Sequence, residues 1–145
     1  MEFYKIKLQM IKQDNVRITD KTMTNATDII DFINSIEGYN QAINENVIVI
    51  MLNTKNKIIA YSEIGMGTSN NCYIDIPSIF KTLFTTNTSK FILAHNHPSG
   101  DTTPSKEDIA TTKKIKEVSE LMGVQFLDHI IIGENEYRSI MKEVK

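Results

Sequence analysis

Phe91-Ile92-Leu93-Ala94-His95-Asn96-His97-Pro98 is a short apolar run that ends in two histidines and a proline, and the rest of the chain is read outward from it. In a strand successive side chains leave opposite faces, so His95 and His97, at i and i+2, leave the same face and can share one metal ion. Pro98 cannot continue a central strand, and Ser99-Gly100-Asp101 with Pro104 is rich in turn formers. The chain is therefore expected to leave the sheet here and loop back, and that loop can deliver Asp108 as a third ligand. Two imidazoles and a carboxylate leave one position of a tetrahedral Zn2+ open, as in catalytic rather than structural zinc sites. The single cysteine, Cys72, excludes a closed site of several thiolates. Nitrogen and oxygen ligands also suit Fe2+, Mn2+ and Co2+, so zinc is a preference of the ligand set and not a demonstration.

The flanking periodicities complete the architecture. Residues 105 to 122 read as the longest helix, with Ile109, Ile115, Val118, Leu121 and Met122 facing inward and Gly123 stopping it. Residues 124 to 132 form a strong strand, and residues 137 to 141 return beside it after a turn at Gly133-Glu134-Asn135. Upstream, residues 47 to 52 and 57 to 64 read as a hairpin across Asn53-Thr54-Lys55-Asn56. A short strand over 73 to 76 is expected before a helix opened by Pro77, with Ile79, Phe80, Leu83 and Phe84 on its buried face. Residues 2 to 11 alternate loosely enough for a strand, and Asn25 or Thr27 can cap a helix carrying Ile29, Ile30, Phe32, Ile33 and Ile36, with Gly38 at its end. The expectation is one α/β domain, a mixed and mostly antiparallel sheet flanked by helices. Residues 1–45 supply an N-terminal strand and helix, and residues 46–141 the metal-binding core.

His95-Asn96-His97-Pro98-Ser99-Gly100-Asp101 through Pro104-Ser105-Lys106-Glu107-Asp108 resembles the metal-binding signature of JAMM (JAB/MPN) metallohydrolases, in the version of the bacterial RadC-like branch. The resemblance continues through Asn53-Thr54-Lys55-Asn56-Lys57, Glu63, Gly67-Thr68 and Leu127-Asp128-His129-Ile130-Ile131-Ile132-Gly133, and so covers residues 20 to 140. It implies a cytidine-deaminase-like JAB/MPN fold and a zinc-dependent hydrolase of peptide or isopeptide bonds. His95, His97 and Asp108 would hold Zn2+, Glu63 would be the general acid/base, and Ser105 would position water or stabilise the oxyanion. Full-length RadC-like proteins carry a helix-hairpin-helix segment ahead of this domain. The residues before Val47 show no hairpin glycine pattern, which makes this a short form by expectation. Related domains often pair, so a homodimer is compatible with the resemblance.

Each candidate also has a structural reading. Glu63 and Asp75 are the only acids between Val47 and Lys90. A carboxylate at the end of a buried strand wants a polar partner, whereas one on an edge strand faces solvent. Ser105-Lys106-Glu107-Asp108 is an S-x-x-D pattern that caps a helix, so Ser105 and Asp108 can serve as a cap, as site residues, or as both. His129 reads as a hydrogen-bonded core histidine or as a residue that orients a ligand. Asp101 reads as a turn former, with a role as extra ligand as its alternative, and Cys72 as a small buried hydrophobe.

Sixteen basic and 18 acidic residues give a net charge of −2, and the sequence pI is near 5.9. No overall field attracts nucleic acid, so the DNA-repair label common in this branch gains no support from charge. A chain of 145 residues buries roughly two-thirds of its unfolded surface. No apolar stretch is long enough for a membrane span, and no signal-peptide pattern opens the chain, so a cytoplasmic location is expected. The alternative to an enzyme is a metal-stabilised binding module, associated with DNA repair or a mobile element, with weak or no hydrolysis.

Overall fold

The computed structural model describes residues 1–7, 9, 11, 22–36, 38–39, 43–67 and 73–144. Its centre is a five-stranded sheet in the order β2-β1-β3-β4-β5. The strands are β1 (Asn46–Leu52), β2 (Ile58–Met66), β3 (Lys90–Asn96), β4 (Gln125–Ile132) and β5 (Tyr137–Ser139), and the helices are α1 (Ala26–Asn34), α2 (Ile76–Thr85) and α3 (Lys106–Met122). Strand β3 pairs parallel with β4, while β1 with β2, β1 with β3 and β4 with β5 are antiparallel. The sheet is therefore mixed and mostly antiparallel, as the sequence predicts.

Both faces of the sheet are covered, which explains why β1, β3 and β4 read as nearly continuous apolar runs. On one face α1 packs Ile29, Phe32 and Ile33 against Ile48, Ile50, Ile92, Ala94 and Ile130. On the other face α2 and α3 pack Ile79, Phe80, Leu83 and Ile115 against Val49, Met51, Phe91, Leu93 and Phe126. A crossover connection must join the parallel pair β3 and β4, and α3 supplies it. This puts the N-terminus of α3 at the carboxyl end of β3, the end where open α/β sheets bind ligands.

Five local expectations are corrected. Phe84, expected on the buried face of α2, is 48% exposed, and that face holds Ile79, Phe80 and Leu83. Residues 73 to 75 form no strand; they lead directly into α2, with Asp75 as its N-cap and Pro77 in its first turn. Helix α1, capped by Asn25 in a box with Asp28, ends at Asn34, before Gly38. Leu121 is 85% exposed and Met122 is also exposed; Leu121 falls on the solvent face of α3 with Lys114 and Glu117, seven and four residues before it. The inward positions of α3 are taken by Thr112, Ile115 and Ser119. Residues 1–7, 9 and 11 form no strand and are exposed, so the strand expected over 2 to 11 is not formed by its described residues. The reading of Cys72 lies outside the described residues. Among the described residues, no helix is long and apolar enough to cross a membrane.

Candidate metal centre

Strand alternation carries His95 out of β3 toward the α2/α3 face, and the turn after Asn96 keeps His97 beside it. The rings lie 4.8 Å apart, centroid to centroid, and their Nε2 atoms are 2.9 Å apart. Asp108 arrives from the first turn of α3, with Oδ1 3.7 Å from His95 Nε2 and Oδ2 3.7 Å from His97 Nε2. The structure thus brings His95, His97 and Asp108 into one group, with one ligand atom from each within 4.8 Å of the others. Ligands about 2.05 Å from a tetrahedral zinc stand about 3.3 Å apart, between the short and long separations found here.

The Nδ1 contacts decide what the Nε2 atoms offer. Nδ1 of His97 donates to the Asp101 carbonyl at 2.6 Å; a carbonyl only accepts, so the neutral ring presents a lone pair at Nε2. Nδ1 of His95 is occupied by His129 Nε2 at 2.7 Å. Lone pairs and a carboxylate converging this closely repel one another unless positive charge lies between them, so the donor set fits a cation. Asp108 also offsets the positive end of the α3 dipole, which by itself would oppose a cation there.

Charge states follow from burial and neighbours. Burial lowers the His95 pKa to about 4, against Asp108, which raises it. Burial also holds His129 well below its ordinary value, with His95 adding to the effect. The Asp108 carboxylate beside it raises His97, against some burial. For Asp108, burial works upward, but His97, His95 and the Ser105 N–H together outweigh it and hold the carboxyl well below the usual range. His95 is therefore a neutral imidazole at pH 7, the form that ligates metals.

This distribution makes the metal-free chain acid-sensitive. A histidine held at about 4 when folded and 6.5 when unfolded contributes stability that is present above 6.5 and lost as pH falls through 4, because the unfolded chain takes up the proton first. For His95 alone the full loss is about 3 kcal/mol; His129 acts in the same direction and His97 in the opposite one. Urea unfolding of chelator-treated protein is expected to show stability about 2 kcal/mol lower at pH 4.5 than at pH 7. Equal midpoints at the two pH values would contradict the buried neutral state of His95.

Ser105 is the N-cap of α3: its Oγ accepts from Asp108 N–H at 3.0 Å, and Asp108 Oδ2 accepts from Ser105 N–H at 2.8 Å. Asp108 is thus a capping residue and a member of the group at once. Asp101 joins through its carbonyl, while its carboxylate accepts from Thr103 N–H at 2.9 Å. Glu63 stands apart. It is exposed on the edge strand β2 and pairs with Ile48, whose partner on the other side is Ala94, the neighbour of His95. Glu63 is at the same end of the sheet as the histidines, two strand spacings or roughly 10 Å from β3, but its partners Ile48 and Ala94 belong to the α1 face, opposite the face that carries His95. The register shift between Val47 and Ile48 falls at this level.

Two contributors escaped the sequence reading. Thr112 is fully buried and bonds His129 Nδ1 at 2.7 Å; its place four residues after Asp108 on one helix face is the signal that could have found it. Asn96, between the histidines but directed to the other face, accepts from Asn46 N–H at 2.7 Å and donates to the Asn44 carbonyl at 3.1 Å, which anchors the end of β3.

The chain matches the RadC-like JAB domain family over residues 23–145. It is 48% identical over 99 residues to a UPF0758 protein of Staphylococcus haemolyticus, covering 68% of this chain and 43% of that one. It is 40% identical over 119 residues to a UPF0758 protein of Carboxydothermus hydrogenoformans, covering 82% of this chain and 52% of that one. The chain spans about half the length of the curated relatives it matches. With its mixed sheet, its helices on both faces and its histidines at the end of β3, the chain belongs to the RadC-like JAB domain family.

Proposed function

We propose that the chain is a zinc-dependent hydrolase of amide bonds, either peptide or isopeptide. The observation that carries this reading is the convergence of two imidazole nitrogens and one carboxylate on a single point, with the His97 ring fixed so that its Nε2 lone pair faces inward. A divalent cation bound there would supply Lewis-acid chemistry, the kind that brings the pKa of water from 15.7 to about 7. Nε2 of His95, Nε2 of His97 and the Asp108 carboxylate would hold it.

The remaining work falls to the chain's own side chains. The Glu63 carboxylate accepts a proton from the attacking water and returns it to the leaving amine nitrogen, a contribution of typically 10²–10⁴-fold. Reaching that water requires Glu63 to turn from the α1 face, and its exposure on the edge strand β2 leaves room for this. Ser105 Oγ accepts from Asp108 N–H, so its own proton remains available to the substrate carbonyl oxygen as charge develops there, worth about 3 kcal/mol.

Glu63 standing outside the group favours a second reading, a metal-stabilised binding module with little or no hydrolysis. Two measurements separate the readings. Elemental mass spectrometry of protein purified without a histidine tag is expected to find about one zinc per chain, the stoichiometry of one closed ligand group. Glu63→Gln is then expected to retain the zinc while cleavage of linear and isopeptide-linked fluorogenic peptides falls at least 10²-fold. Zinc retained with no cleavage by the wild type would favour the binding module; a metal-free wild type would overturn the hydrolase.

A further inference from the structure

Behind His95 runs a chain of hydrogen bonds that returns to the ligand group by another route. His95 Nδ1 is 2.7 Å from His129 Nε2, His129 Nδ1 is 2.7 Å from Thr112 Oγ1, and Thr112 Oγ1 is 2.6 Å from the Asp108 carbonyl oxygen. His129 and Thr112 are both fully buried, so neither can turn to water for a partner.

The direction of every bond follows from its last member. A carbonyl oxygen only accepts, so the Thr112 hydroxyl proton points to Asp108. Oγ1 must then accept from His129, which places the His129 proton on Nδ1. The neutral His129 ring is left with a lone pair at Nε2, which can only accept from His95. His95 therefore carries its proton on Nδ1 and presents a lone pair at Nε2, the atom that faces His97 and Asp108.

We propose that His129 and Thr112 are positioning residues that hold His95 in its metal-binding tautomer and tie its ring to the turn of α3 bearing Asp108. The proposal rests on the metal-binding reading above. Strand register puts His129 within reach of His95, because it pairs from β4 with Leu93, two residues before His95 and on the same face. The i, i+4 spacing places Thr112 over Asp108.

The test is Thr112→Val, which keeps the shape and removes the hydroxyl. His129 Nδ1–H then becomes a buried donor without an acceptor, a cost the ring avoids only by moving its proton to Nε2 and leaving a bare lone pair at Nδ1. That turns a donor toward His95 Nδ1, which drives the His95 proton onto Nε2 and blocks the atom that would ligate. Imidazole 15N NMR of the chelator-treated full chain reads which nitrogen of each ring is protonated, and competition with a chromophoric chelator reads Zn2+ affinity.

Wild type and Thr112→Ser are expected to show protonated Nδ1 on both His95 and His129. Thr112→Val is expected to show protonated Nε2 and to bind Zn2+ about 10–100-fold more weakly, the loss typical of an outer partner of a ligating histidine, while Thr112→Ser binds near wild type. Wild-type rings protonated on Nε2, or Thr112→Val with wild-type affinity, would overturn the relay. The wild-type spectrum decides the tautomers even if the valine variant does not fold. Protonated Nδ1 in a wild type that binds no Zn2+ would support the relay and overturn the metal reading; protonated Nε2 in a wild type that binds Zn2+ would overturn the relay alone.

Discussion

Asp108→Asn is expected to lose its metal and keep its helix. One carboxylate oxygen, Oδ2, accepts the Ser105 N–H at 2.8 Å, while Oδ1 and Oδ2 each stand 3.7 Å from a histidine Nε2. Asparagine retains one carbonyl oxygen for the Ser105 N–H, so the cap survives within about 1 kcal/mol. Its other arm becomes an NH2 group, which turns a donor toward the histidines and removes the only anionic ligand. Zn2+ affinity should fall by more than the roughly 10–100-fold that loss of an outer partner costs. Ser105→Ala inverts the pattern: deleting the Oγ that accepts the Asp108 N–H costs about 1 kcal/mol in urea unfolding, while Zn2+ stays bound. Chelator competition and urea titration of the two variants separate the roles. Metal retained by Asp108→Asn would make Asp108 a cap and nothing more.

The parts legible from sequence were those set by contiguous pattern. Strands β1, β3 and β4 are buried on both faces, and their apolar runs announce them. His95, His97 and Asp108 fall in one stretch whose turn formers leave few other paths. Helix α3 was harder, because the inward positions hold hydroxyls that satisfy themselves on the preceding turn: Thr112 on the Asp108 carbonyl and Ser119 on the Ile115 carbonyl at 2.6 Å. A reading by hydrophobicity passes over them and takes Leu121 and Met122, exposed in the last turn of α3, as core. The tie between His129 and His95 depends on parallel register across 34 residues, which no local spacing encodes. Glu63 shows the same limit: its strand is readable, whereas its relation to the histidines depends on the pairing of Ile48 and on a register shift.

Gly133→Ala should loosen the fold and the centre together. A Cβ on Gly133 would stand 2.3 Å from the Gly100 carbonyl oxygen, 2.9 Å from Thr102 Cγ2 and 3.1 Å from the Gly100 carbonyl carbon. The nearest obstacle is backbone, so no side-chain rotation relieves it, and the loop must retreat by about 1 Å to restore ordinary contact. That loop is held to the end of β4 by His97 N–H on the Ile132 carbonyl at 2.9 Å and by the Thr102 hydroxyl on Glu136 at 2.8 Å. Overpacking of this kind costs about 1–3 kcal/mol. The same displacement carries away the Asp101 carbonyl that fixes Nδ1 of His97, so Zn2+ affinity should drop by about 10-fold or more. Gly123→Ala is the control: at φ 73 with nothing within 4 Å of the added Cβ, it costs about 1 kcal/mol of backbone strain at the far end of α3 and should leave Zn2+ affinity unchanged. If Gly133→Ala weakened the fold but bound Zn2+ like wild type, the close approach of Gly133 to Gly100 would serve stability alone, and the orientation of His97 would have to come from Asp108.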